Sequence, residues 1–168
     1  MTEHIEKTLI LFKPDCLQRG LAGEVLTRFE RVGLKIVASK ILEPSKEFYE
    51  YHYENIGKMI SRRGQEKFDI TLEMMQKGPV LAMVLEGVEA VEIVRKLVGT
   101  TEPKTAAPGT IRGDFSHISF AYADKVSKAT PNLIHASGDS KEAEQEIKHW
   151  FKPEEIFDYK LSHEDHIR

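Results

Sequence analysis

Val80-Leu81-Ala82-Met83-Val84-Leu85 is an unbroken apolar run, preceded by the break Lys77-Gly78-Pro79. It has no polar alternation, so neither face of a strand built from it is suited to water. That marks it as a central strand. Thr8-Leu9-Ile10-Leu11-Phe12 reads as another buried strand, and it stops at Lys13-Pro14-Asp15, where proline ends the ladder. Leu34 to Leu42 carries Ile36, Val37 and Ile41 in partial alternation and reads as a strand too. His117 to Tyr122 alternates weakly and is taken as the fourth, shorter and more exposed.

Helices are expected between these strands. Leu21 to Val32 lines up Leu21, Val25, Leu26 and Phe29 on one side, with Gly33 as its stop. Lys46 to Asn55 is helical and aromatic-rich, a stripe that suits core or interface. Met59 to Gln65 is polar and basic and reads as a loop or frayed turn, and Phe68 to Gln76 as a helix. Val88 to Val98 turns Val91, Val94 and Leu97 inward and leaves Arg95 on a flank. Strands and helices interleave, but four strands are too few for a doubly wound sheet. The plan that fits is α+β: a ferredoxin-like β-α-β-β-α-β sandwich, a four-stranded antiparallel sheet with helices covering one face.

Composition sets the outer bounds. The chain has 168 residues and is 40% hydrophobic, which predicts a single domain over residues 1–168. Residues 162–168 read as a polar, mobile tail. No apolar run approaches the roughly 18 residues of a membrane span. Met1 to Lys7 is short and polar, unlike a signal peptide. Cys16 is the only cysteine, which suits a reducing cytoplasm. A net charge of −3 argues against a general nucleic-acid binder, so any anion site must be a local cluster of Lys and Arg.

The chemistry gathers near Asn132-Leu133-Ile134-His135-Ala136-Ser137-Gly138-Asp139-Ser140. An apolar pair delivers His135, a small-residue turn follows, and Asp139 is a good N-cap for a helix with Glu142 at the capping-box position. Asp139 to Glu146 spans roughly 10 Å at 1.5 Å per residue. If the turn doubles the chain back, Glu146 reaches His135. A carboxylate on one imidazole nitrogen fixes the tautomer and leaves the other as a nucleophile. The same pattern also suits a structural histidine before an ordinary helix.

Other motifs are missing. There is no GxxxxGK[ST], GxGxxG, GxSxG or HExxH. His4, His52, His117, His149, His163 and His166 have no carboxylate at a telling spacing and read as structural or surface residues. Lys13, Arg95, Thr101, Arg112 and Asn132 remain as an anion-handling set, beside His135 and Glu146. Thr100 to Phe115 is long and aperiodic, with two prolines and two glycines that favour a fixed path over a phosphate. Phosphoryl transfer asks mainly for positioning and positive charge around the transferred group.

Four motifs in order carry a close resemblance: Leu11-Phe12-Lys13-Pro14-Asp15 with Gln18-Arg19-Gly20, then Gly78-Pro79-Val80, then Pro108-Gly109-Thr110-Ile111-Arg112-Gly113-Asp114-Phe115, then Asn132-Leu133-Ile134-His135-Ala136-Ser137. Over about Glu6 to Tyr159 the chain resembles the nucleoside diphosphate kinases. The resemblance implies a ping-pong transfer from a nucleoside triphosphate to a nucleoside diphosphate through a phosphohistidine on His135, maintaining NTP and dNTP pools. It gives Lys13 to the transferred phosphate and the ribose, Arg95, Thr101 and Arg112 to the distal phosphates, and Asn132 to the sugar hydroxyls. It places Tyr53 near the phosphohistidine and pairs Ser137 with Glu146 to orient the imidazole. It implies Mg²⁺ bridging the phosphates with no direct metal ligand from the protein, and a shallow base clamp with Phe68 as one wall and a residue near Ser119 as the other. It implies a cytoplasmic homo-oligomer, a hexamer or else a tetramer, with no membrane and no specific nucleic acid as partner. Segments 57–67 and 121–131 are longer than usual for that family, and Gly138 stands where an acid is common. Two rivals differ in class: a nucleotide-binding scaffold without turnover, and a nucleic-acid binder of kinase ancestry.

Overall fold

Four strands, β1 (Ile5–Phe12), β2 (Lys35–Leu42), β3 (Val80–Val88) and β4 (Ile134–Ala136), form one sheet in the order β2-β3-β1-β4 in the computed structural model, which describes residues 4–167. Every pair is antiparallel. β1 runs against β3 from Ile5 opposite Val88 to Phe12 opposite Leu81, and β4 lies on the other side of β1 with His135 opposite Leu11. A bulge between Ile36 and Ala38 interrupts β2.

The unalternating strands have the consequence their composition demands: both faces of the sheet are covered, not one. Ile10, Phe12, Met83 and Leu85 pack against α2 (Ala22–Arg31) and α6 (Ala90–Val98) through Val25, Phe29, Ala90 and Val94. Leu9, Leu11, Ala82 and Val84 pack against α3 (Lys46–Glu50), α5 (Gln65–Met75) and α9 (Ser140–Trp150) through Tyr49, Phe68, Leu72, Met75 and Trp150. Helices on one face alone would leave one of these apolar rows in water.

Three local expectations change. His117 to Tyr122 is not a strand. Ser119 caps a short helix, α8 (Phe120–Lys125), by accepting the Tyr122 N–H at 3.1 Å, and the Glu102 carboxylate accepts the Phe120 N–H at 2.8 Å. The fourth strand comes instead from the apolar Leu133-Ile134 pair, just ahead of the histidine. The basic stretch read as a loop holds a helix, α4 (Met59–Arg63), bounded by left-handed residues Lys58 (φ +51°) and Gly64 (φ +88°). The end of the chain lies along the sheet. The Phe157 N–H and the Tyr159 hydroxyl donate to Val37 and Ile36 carbonyls along the outer edge of β2, Lys35 Nζ donates to the Tyr159 carbonyl at 2.8 Å, and Glu164–His166 forms a 3₁₀ turn. Ile167 fills the space where Gly33 has no side chain. Residues 1–3 and 168 of the expected domain lie outside the described residues.

Helices α1 (Pro14–Gln18) and α7 (Ile111–Phe115) are short and support the loops at the carboxyl end of β1. After α3 the chain loosens into a π-helical turn over Tyr51–Ile56, a form often associated with functional positions. This turn carries His52 and Tyr53 toward β4.

Phe29 is fully buried between α2 and the sheet, on the face away from that turn. Phe29→Ala is therefore expected to cost about 3–5 kcal/mol in urea denaturation. Phe157→Ala, at a side chain 65% exposed, should stay within roughly 0.5 kcal/mol.

Candidate active site

The end of β1 and the approach to β4 are tied together atom by atom. Lys13 follows β1 directly, and its N–H donates to the Leu133 carbonyl at 2.9 Å. The Asp15 carboxylate accepts the Leu133 N–H at 3.0 Å. Leu133 has φ +73°, and the Ile134 N–H reaches the Asn132 carbonyl at 2.9 Å, which closes a three-residue γ-turn. A buried leucine in this region is strained, and it persists because both its backbone groups are held. The turn presents Asn132 on one side and His135 on the other.

His135 is fixed from behind. Its Nε2 lies 2.7 Å from Glu146 Oε1, and Ser137 Oγ donates to Glu146 Oε2 at 2.6 Å. Ser137 Oγ also accepts the Leu9 N–H at 3.2 Å, which locks the trio to β1. Nε2–H therefore donates to the carboxylate, and Nδ1 keeps its lone pair. Burial pushes the imidazole well below its ordinary pKa, and Lys13 adds to this, so the ring is neutral near pH 7. Burial raises the Glu146 carboxyl, against the opposing pull of His52 and the Ser137 hydroxyl.

A cavity of about 840 Å³ opens in front of the imidazole. Lys13, Tyr53, Arg95, Thr101, Arg112, Asn132, His135 and Glu146 all line it. Ser137, fully buried, stands behind the wall. Lys13 Nζ donates to Asn132 Oδ1 at 2.7 Å, and Asn132 Nδ2 donates to the Thr101 carbonyl at 2.9 Å. Burial beside Arg112 lowers the Lys13 ammonium to about 8. Arg112 donates to the carbonyls of Gly99 (3.2 Å), Asn132 (3.2 Å) and Ile134 (2.5 Å), so it braces the loop around the cavity while adding charge to it. Buried cations facing a cavity of this volume form a site for a polyanion.

Phe68 is not on this wall. Along α5 the cavity side is Lys67, Ile70, Thr71 and Met74, while Phe68, Leu72 and Met75 face the sheet core. Phe68 is one position out of register and is buried at 6% exposure. Phe120, next to Ser119, does line the cavity, as Tyr53 does, with the Arg63 guanidinium 4.6 Å from the Phe120 ring centroid.

His52 was read as a structural or surface residue, yet it sits in the site. It is 1% exposed, its ring centroid is 4.7 Å from that of His135, and its Nδ1 accepts the Trp150 Nε1–H at 3.1 Å. That nitrogen also lies 3.7 Å from Glu146 Oε1. A histidine beside Tyr53 in an aromatic stripe was the only sequence signal. Among the described residues His52, His135 and Glu146 form a set that could in principle grip a metal. The nitrogens nearest the carboxylate are already engaged, His135 Nε2 by Glu146 and His52 Nδ1 by the Trp150 N–H, so the set reads as a support for the His135 ring.

Known proteins were compared with this geometry. The family profile for nucleoside diphosphate kinase matches residues 6–156. A nucleoside diphosphate kinase of Borreliella burgdorferi is 45% identical over 160 residues, covering 95% of each chain. One of Pyrococcus furiosus is 46% identical over 155 residues, covering 92% of this chain and 88% of its own. Among solved structures, a transition state mimic of the Borrelia burgdorferi enzyme with bound vanadate and ADP superposes with a TM-score of 0.94 at 44% identity, over 97% of this chain and 96% of that one. A Halobacterium salinarum enzyme in complex with CDP gives 0.84 at 35% identity, over 98% and 99%. With the profile covering most of its length and relatives this similar, the chain belongs to the nucleoside diphosphate kinase family.

Proposed function

We propose that this chain moves the terminal phosphate of a nucleoside triphosphate to a nucleoside diphosphate in two steps, with His135 as the covalent carrier. One observation carries the reading: the 2.7 Å contact that commits Nε2 to Glu146 and leaves Nδ1 free on a cavity lined by buried cations. In the first step the Nδ1 lone pair attacks the γ-phosphorus. A P–N bond forms, the bond from phosphorus to the β,γ-bridging oxygen breaks, and the diphosphate leaves with that electron pair. In the second step a β-phosphate oxygen of a different diphosphate attacks the phosphohistidine, and the P–N bond breaks. Splitting the transfer in this way gives the histidine two in-line displacements.

The roles follow from placement. Lys13, Arg95 and Arg112 spread the charge of the phosphates in a space where water screens poorly. Thr101 and Tyr53 hold the phosphate chain, and Asn132 with Lys13 takes the ribose hydroxyls. Glu146 and Ser137 hold the tautomer and steady the imidazolium-like ring as phosphorus arrives. Phe120 offers a face to the base. Stacking on one ring is indifferent to the identity of the base.

Mg²⁺ fits as a passenger on the phosphates. The cavity's carboxylates are largely engaged: Glu146 by His135 and Ser137, Asp124 by Lys67, Asp139 by the Glu142 N–H. They form no cage, which suits an ion that keeps its waters and binds mainly through substrate phosphates. Once bound, it would neutralise phosphate charge. Among the described residues no helix is long and apolar enough to cross a membrane. We read the protein as cytoplasmic and as a homo-oligomer of hexameric type, by family likeness.

The test begins with γ-labelled ATP and Mg²⁺ without acceptor. The protein should take up acid-labile label and pass it to UDP on a chase. His135→Ala should abolish labelling and leave ADP affinity within a few-fold. Glu146→Ala should slow labelling by roughly 10²–10⁴-fold without abolishing it, as expected for a group that orients the base of a reacting pair. Labelling of His135→Ala at the normal rate would reject the mechanism.

A pH dependence follows with a definite sign. The free enzyme loses the Lys13 charge as pH rises through about 8. A bound phosphate holds that proton on. kcat/KM for ATP should therefore fall above about pH 8, while kcat persists to higher pH. On the acid side the depressed pKa keeps the His135 ring neutral, so labelling should not fall through the ordinary histidine range near pH 6.5. A drop of both parameters together at pH 6.5 would contradict this assignment.

A further inference from the structure

Two segments meet each other across the cavity. α4 and the start of α5 supply Arg63 and Lys67, and α8 supplies Phe120 and Asp124. Arg63 lies over the Phe120 ring at 4.6 Å, and Lys67 is ion-paired with Asp124. All four side chains line the same cavity as His135. The phosphate end is deep, with Lys13 7% and Asn132 3% exposed. The Lys67–Asp124 pair is at the outer rim, with side chains 35% and 54% exposed.

We propose that these contacts form a two-point clasp over the mouth of the nucleotide site, and that its opening sets how fast a bound nucleoside diphosphate leaves. The inference rests on the kinase reading above and adds to it the control of exchange. One half of the clasp is anchored. The Phe120 N–H is held by Glu102, and the Lys104 N–H donates to the Ile118 carbonyl at 3.1 Å, so α8 is fastened to the loop that carries Thr101. The other half is the corner between α4, which carries Arg63, and α5, which carries Lys67. α4 is a five-residue helix bounded by Lys58 and Gly64, both at positive φ, and a side chain at Gly64 would meet nothing within 4 Å. Hinges of this kind absorb a backbone change at helix ends.

The contacts suit a gate that must open every turnover. A half-exposed ion pair shifts an equilibrium by only about two- to fivefold, and a cation over an exposed ring by a similar factor. Together they can slow departure without trapping the product. A ping-pong enzyme must empty its site between half-reactions, so this delay falls directly on turnover. The residues concerned do not touch the reacting atoms. They are exchange-determining, and their variants separate release from chemistry.

Radiolabelled ADP is loaded onto the protein and chased with excess unlabelled ADP in a rapid-mixing experiment at low salt. Asp124→Asn and Lys67→Gln should each release ADP roughly two- to fivefold faster than the parent. The charge-swapped double variant Lys67→Glu with Asp124→Lys should return toward the parent rate. Phosphohistidine formation at saturating ATP in a single turnover should be unchanged in all three. Parental release rates in both single variants would overturn the clasp, and so would a swapped variant as fast as the singles. The two readings fail differently. A protein that binds ADP but never becomes phosphorylated loses the kinase mechanism, and the clasp is still judged by release. A protein that binds no ADP loses both.

Discussion

The three-residue pairing of β4 with β1 is the constraint on which the site depends. Leu11 stands opposite His135, so the histidine inherits the position of the most buried strand in the sheet. A strand this short cannot hold its register by ladder hydrogen bonds alone. It is pinned at both ends by side chains: Asp15 takes the Leu133 N–H before it, and Ser137 takes the Leu9 N–H after it. The strained γ-turn at Leu133 is the cost of turning Asn132 and His135 toward one cavity within four residues. Strain of about 1–3 kcal/mol survives only where surrounding bonds overdetermine it, and here they do.

Electrostatics then follow from the position. A buried imidazole near Lys13, Arg95 and Arg112 cannot easily become a cation, so burial and the neighbouring positive charges combine to keep it neutral. Glu146 does the opposite work from behind, accepting Nε2–H and fixing which nitrogen is exposed. His52 completes the back wall as a neutral ring that accepts from Trp150 and contacts the Glu146 carboxylate without adding charge. Arg112 serves two purposes at once. Three backbone carbonyls hold it in place, so its charge is preorganised and costs little rearrangement when an anion arrives.

Much of this was legible because it follows from periodicity and reach. The apolar runs in β1 and β3 announced a doubly covered strand pair, although helices were assigned to one face only. The rise per residue of α9 was enough to bring Glu146 to His135. What escaped was decided by tertiary context. β4 is too short to have a period, and its Leu133-Ile134 pair reads equally well as a loop entering a helix. Phe120 to Lys125 is helical because Ser119 and Glu102 cap it, and Glu102 lies eighteen residues upstream in a separate loop. Phe68 was one residue out of register, and on a helix one residue turns a side chain by about 100°. That single step moved the aromatic from cavity wall to core and put Lys67 on the wall in its place.

The register of α5 and the contacts across the mouth bear on each other. With Phe68 in the core, α5 presents Lys67, Ile70, Thr71 and Met74 to the cavity and no aromatic ring. The ring that meets this side across the mouth is Phe120 on α8, under the Arg63 guanidinium. That ring is fixed from its own side, because the Glu102 carboxylate holds the Phe120 N–H and the Ile118 carbonyl accepts the Lys104 N–H. Arg63 and Lys67 contact α8 from across the mouth. The two sides therefore act as one unit: α8 carries the ring, and the α4–α5 corner carries the cations that contact it.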